Sequence, residues 1–166
     1  MLVLIQNGAM PTTAAAVSVT TGTSIKTLLQ VKLASGVTGK VVEWGISFDG
    51  SAAATPIKCE LLETGTVFAT VTASVANDIT RLNPLEQDPT TGLVVVGTSA
   101  TGYTGSAEGT ITASREFDIQ LVAPTSQYVK QFPLGREPIV NAASALRIRV
   151  TAGAAVNAYC YVILDI

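Results

Sequence analysis

Histidine is absent from this 166-residue chain, and charge is scarce: Asp, Glu, Lys and Arg make up only 13% of the residues. Without imidazole there are no Ser-His-Asp or Cys-His nucleophilic systems and no histidine metal ligands. Two cysteines are too few for a thiolate zinc site. Ten bases against twelve acids leave a net charge of −2. With no basic excess to grip a phosphate backbone, no direct nucleic-acid partner is expected. No apolar run reaches the roughly 18 residues of a membrane span, so no membrane partner is expected either. The apolar start, Met1-Leu2-Val3-Leu4-Ile5, lacks the cationic flank and the length of a secretory signal. Synthesis in the cytoplasm without secretion is the expectation.

What the chain does contain is small and apolar. Ala, Thr, Val, Gly and Ser fill more than half of its positions, hydrophobic residues make 48%, and the mean hydropathy is +0.44. That is too apolar for a disordered chain. The length suits one domain able to bury about 70% of its unfolded surface.

The dominant period is two, the signature of strands. Val42, Trp44, Ile46 and Phe48 alternate with Glu43, Gly45 and Ser47. Leu29-Val31-Leu33, Phe117-Ile119-Leu121 and Leu146-Ile148-Val150 behave likewise, each apolar set facing a core. Val156 to Leu164 is apolar on both sides, as in a strand covered on both faces. Shorter runs stand at Ala16–Thr20, Val67–Thr72 and Gly92–Val96. Turns at Asp49-Gly50, Thr64-Gly65 and Pro133–Pro138 punctuate the runs. Val75–Thr91 reads as an excursion loop with one helical turn, and Thr98–Thr110 as a second long loop. About eight short strands in one domain predict an all-β fold, a β-sandwich of jelly-roll type. The expected organisation is an extended arm over residues 1–15 and a single sandwich domain over 16–166.

The first 25 residues carry no charged side chain. Leu2, Val3, Leu4 and Ile5 read either as an edge strand or frayed terminus, or as an arm lying on a neighbouring subunit. Cys59 and Cys160 sit in alternating apolar runs and read as small buried hydrophobes rather than as a long-loop disulfide. Gly102-Tyr103-Thr104-Gly105 and Gly36–Lys40 match no phosphate-binding loop. Glu60 and Glu63, or Glu86 and Asp88, are the carboxylate pairs a glycan-cleaving enzyme would use. Their spacing favours a solvated surface, and three apart on a strand Glu60 and Glu63 face opposite ways. Arg147 and Arg149 share one strand face, read as exposed or as pairing with acids across a sheet or subunit boundary. Tyr128, Tyr159 and Tyr161 are the aromatics open to a carbohydrate-binding role, with core or interface packing as the alternative. No cofactor is expected and the chain reads as a non-enzyme. So little charge suits a surface covered by other protein, which makes an assembly component.

Longer motifs carry a resemblance. Lys40–Ser51 (KVVEWGISFDGS), Ala100–Tyr103 with Ser106–Thr110, Lys130–Pro138 (KQFPLGREP), and Leu146–Ala152 followed by Val156–Ala158 span most of the chain. Together they resemble a recurring signature of small virion proteins of tailed phages infecting actinobacteria, the capsid decoration or minor capsid proteins. The resemblance implies a compact β fold on the outside of an icosahedral head, as homotrimers at threefold positions on the major capsid protein. Candidate contacts are then Leu2, Val3, Leu4 and Ile5 together with the loop holding Arg136 and Glu137. That loop reads equally as a turn held within its own chain. The alternative role is a tail-associated receptor- or carbohydrate-binding jelly roll.

Overall fold

Alternation as regular as Leu146-Arg147-Ile148-Arg149-Val150 produces a strand whose three aliphatic side chains enter one core. The computed structural model describes residues 1–51 and 55–166. In chain order its strands are β1 Leu2–Gln6, β2 Val19–Thr20, β3 Ile25–Leu33, β4 Gly39–Phe48 and β5 Ile57–Glu63. There follow β6 Thr70–Ala73, β7 Ile79–Arg81, β8 Val94–Val95, β9 Gly102–Ala107 and β10 Arg115–Val122. The last four are β11 Gln127–Gln131, β12 Ile139–Val140, β13 Ala145–Thr151 and β14 Asn157–Asp165.

Two antiparallel sheets pack face to face as a sandwich. Sheet A runs β11-β4-β14-β1-β7, with β12 on β4 and β2 on β14; sheet B runs β10-β5-β13-β3-β9-β6, with β8 on β3. Trp44, Ile46, Cys160, Val162 and Leu164 from sheet A meet Leu29, Val31, Cys59, Leu61 and Ile148 from sheet B. Cys59 and Cys160 are free and buried in this layer. Burial first and then the nearby Glu60 charge push the Cys59 thiol up to about 12, and burial likewise raises Cys160, so both stay protonated.

The expected arm is corrected. Leu2–Gln6 is an interior strand of sheet A, with β14 on one side and β7 on the other. Leu2 pairs with Asp165, and the N-terminal ammonium donates to the Asp165 carboxylate at 3.0 Å and to the Ile166 carbonyl at 2.7 Å. An uncharged run with period two satisfies its backbone best between two strands. The exposed, irregular stretch follows it, over residues 9–17. Within the predicted loop Thr98–Thr110 lies strand β9, and the predicted excursion holds one 3-10 turn, Ala76–Asp78.

Sheet B is covered on its outer face over β13 and β3. From the end of β5, residues 64–69 cross over β13 and β3 to reach β6, and residues 108–114 return from β9 to β10. β9 can lie against β6 only because residue 102 is glycine: a Cβ there would stand 2.2 Å from the Thr72 carbonyl oxygen and 2.6 Å from a Val71 methyl. Gly102→Ala is therefore expected to destabilise the fold by roughly 1–3 kcal/mol. Calorimetry should then show the thermal midpoint falling by about 2–4 °C per kcal/mol, and an unchanged midpoint would contradict this close approach.

Candidate interaction surfaces

Many of the charged side chains in this protein bind the protein itself. Among the described residues ten charged side chains take part in ion pairs: Lys58, Arg115, Lys130, Arg147, Arg149, Glu60, Glu63, Glu108, Asp118 and Asp165. Three of these clusters fasten loops and edges to the sandwich.

Arg147 points to the outer face of sheet B, yet it is 0% exposed. Its guanidinium donates to the Val67 carbonyl at 2.5 Å, the Glu108 carbonyl at 3.0 Å and the Glu108 carboxylate at 3.2 Å. Glu108 in turn accepts from the Thr27 amide and hydroxyl, both at 2.6 Å. Beside it, buried Gln30 donates to the Ala69 and Ala100 carbonyls and accepts from the Ala69 amide. Both chain crossings are thus pinned to the sheet. The expected exposed face for Arg147 is overturned, because the crossings close over it. Arg149 pairs across the sheet with Glu60 at 3.0 Å, and Lys58 joins the same carboxylate at 3.4 Å.

Glu63 accepts from Arg115 at 2.5 Å and from the Asn141 amide and side chain at 3.1 and 2.9 Å, tying loop 132–144 to sheet B. Glu60 and Glu63 lie on opposite faces of β5, and each is engaged by cations. Among the described residues no group of three or more His, Cys, Asp or Glu side chains is placed to hold a metal ion.

Asp118 closes the side of the sandwich where β10 and β11 form the two sheet edges. Its carboxylate accepts from Trp44 Nε1 at 3.1 Å, Tyr128 Oη at 3.0 Å, Lys130 Nζ at 3.0 Å and Gln120 Nε2 at 3.2 Å. The Tyr128 ring also packs on Trp44, with centroids 5.5 Å apart. Tyr128 is therefore a packing residue, and its hydroxyl is engaged. The Asp118 cluster reverses the predicted face of β10. A bulge at Phe117 shifts the register, so Asp118 and Gln120 turn inward while Ile119 and Leu121 turn out.

The residues expected to make contacts divide in two. Val3 and Ile5 are enclosed in the chain's own core, which leaves them no surface for a neighbour. Leu2 is exposed and Leu4 half-buried on the outer face of sheet A. The register aligns Leu2, Asp165, Lys40 and Ile139 in one row across that face. Loop 132–138 leaves β11 and enters β12 at the same end, so the structure brings the Arg136–Glu137 loop and Leu2 to one end of the sandwich. Glu137 accepts from the Gly135 amide at 2.8 Å, and the Arg136 amide donates to the Pro133 carbonyl at 2.9 Å. These bonds form a turn within the chain that lifts Leu134, 96% exposed, to its tip. Loop 82–93 reaches the same end, since the Leu82 amide donates to the Leu2 carbonyl, and it carries Leu85, 93% exposed. Sequence alternation says nothing of these leucines, because they stand singly in loops.

Further along sheet A, Tyr161 lies across Gly45, where a Cβ would stand 2.6 Å from its ring, and its hydroxyl donates to Glu43 at 2.5 Å. Burial, then this bond and the Glu43 charge, push the tyrosine up to about 12. Tyr159 donates to the Ala16 carbonyl at 2.9 Å. The two rings help line a groove of about 150 Å³ beneath residues 16–17.

Burial alone raises the Asp118 carboxyl, but the bonds from Lys130, Gln120 and Tyr128, with the Lys130 charge, outweigh it and hold it below its ordinary value. The stability this lends is complete above about pH 4, the unfolded carboxyl's range. It is lost as pH falls through the lower folded value. Thermal melts from pH 7 to pH 2 should show Asp118→Asn less stable than wild type at pH 7. The gap should narrow at the acid end, whereas a constant gap would contradict the assignment. No protein-family model, curated protein or solved structure matches this chain.

Proposed function

We propose that this chain is a structural virion protein that decorates and stabilises the outside of a phage head by contact with its major capsid protein. The observation that supports it most directly is the end of the sandwich bearing Leu2, Leu82, Leu85, Leu134 and Ile139, all exposed. Large apolar side chains at loop tips cost solubility unless another protein covers them. The same end carries the Lys130–Pro138 motif on which part of the phage resemblance rests.

Two further features fit the role. With β2, β6, β7, β8, β9 and β12 set aside, the sheets run β11-β4-β14-β1 and β10-β5-β13-β3. We read this order as the jelly-roll connection, a plan shared by viral capsid and lectin domains. Ion pairs that fasten crossings and edges also suit a protein that carries load rather than one that opens and closes. Around a threefold axis three modest contacts act together, and their avidity can exceed one affinity by roughly 10²–10⁴. Homotrimers at threefold positions are the arrangement we propose.

Cryo-electron microscopy of virions bearing this chain tests the reading. The expected result is density for the sandwich on the head surface, with the Leu85 and Leu134 loops turned toward the shell. Co-sedimentation with heads should then fall at least tenfold for the Leu85→Ser, Leu134→Ser double variant. Density at the tail, with glycan binding lost in Tyr159→Ala, would favour the receptor-binding alternative and overturn the proposal.

A further inference from the structure

Strand β10 exposes the side chains that its sequence pattern assigns to a core. Ile119 is 48% exposed and Leu121 73%, while Asp118 and Gln120 occupy the inward positions. Such a conflict between local pattern and fold is expected where a surface has a use. β10 is also the last strand of sheet B and pairs only with β5. Among the described residues no strand pairs with its other side.

Natural edge strands are blunted by lysine, proline, bulges or short length. The bulge at Phe117 and Pro124 bound this edge, but five of the six residues between them, Asp118 to Val122, pair with β5 in regular register. Their one charge, Asp118, is turned inward and held by four donors. The segment is an open template for another strand.

We infer that β10 pairs with β10 of a second copy of this chain, antiparallel and two-fold symmetric about Gln120. Symmetry then fixes the register. Ile119 stands opposite Leu121 of the second copy, Leu121 opposite its Ile119, and Gln120 opposite itself. Four exposed aliphatic side chains meet on one face, the cross-strand contact that stabilises sheets. Like charges do not face one another across the joint. On β5, Lys58 neighbours Leu121 and Glu60 neighbours Ile119. Each row across the joint therefore runs from a lysine of one copy to a glutamate of the other. The pairing spans about 17 Å of strand, a small interface of the weak, reversible class. It stands whether or not the chain sits on a shell.

Analytical ultracentrifugation of the full chain should show the mass rising from one copy toward two between about 1 μM and 1 mM. Ile119→Lys and Leu121→Lys should each stay monomeric with an unchanged melting temperature, while Leu134→Lys should dimerise as wild type does. Gln120→Cys tests the register separately. Its two copies would lie about 4.5–5.5 Å apart between Cα atoms, within disulfide reach, so diamide should yield a covalent dimer. Leu121→Cys, which is not its own mate, should cross-link at least tenfold less. A wild-type chain monomeric over the whole range with no Gln120→Cys cross-link would overturn the inference. So would a dimer that survives both lysine substitutions.

Discussion

A guanidinium with no exposed surface organises this molecule. Arg147 sits under two crossings of the chain, bonded to the Val67 carbonyl and to both the carbonyl and the carboxylate of Glu108. A charge taken out of water costs several kcal/mol unless partners replace the solvent, so the crossings cannot leave without exposing that cost. With them in place, the outer face of sheet B over β13 and β3 is covered by the chain's own backbone. The surfaces left for other molecules are the outer face of sheet A, the loop ends and the strand edges.

The same economy explains a composition with half the usual charge. Most acids are occupied within the fold: Asp118 holds the β10–β11 side, Glu63 holds loop 132–144, and Glu108 holds the crossings. The exterior then falls to Thr, Ser, Ala and single large aliphatics. Surface ion pairs contribute little in water, but each of these has one buried partner, Asp118, Glu63 or Arg147, and acts as a fastener with specific geometry. A protein built this way keeps its shape and offers neutral, partly apolar surfaces, which suits lasting contact with other protein.

Much of the fold was legible in the sequence. The alternation at Trp44–Phe48, Leu146–Val150 and Ala158–Leu164 picks out the core sides of β4, β13 and β14, since period two is a local property. Two readings on these strands are corrected: a bulge puts Val41 rather than Val42 in the core, and β14 is not covered on both faces, since Tyr159 is exposed. Both cysteines are also free and buried, as their apolar settings suggested. What could not be read depends on distant partners. Met1 to Gln6 looks like an arm until β14 and β7 supply its ladders. The faces of β10 invert because one extra residue at Phe117 slips the register, a change of face that composition does not signal. Arg147 looks like an exposed cation until residues 64–69 and 108–114 pass over it. Each miss is a long-range pairing that overrides a local pattern.

If Arg147 and Glu108 act as one clamp, their substitutions must not add. A double-mutant cycle on thermodynamic stability, using Arg147→Met, Glu108→Gln and the pair, measures this directly. Each single change should cost on the order of 2–4 kcal/mol, because it strands a buried partner. The double variant should cost less than the sum by roughly 1–3 kcal/mol. Additive losses within about 0.5 kcal/mol would contradict it, showing that the crossings are held to sheet B by packing alone.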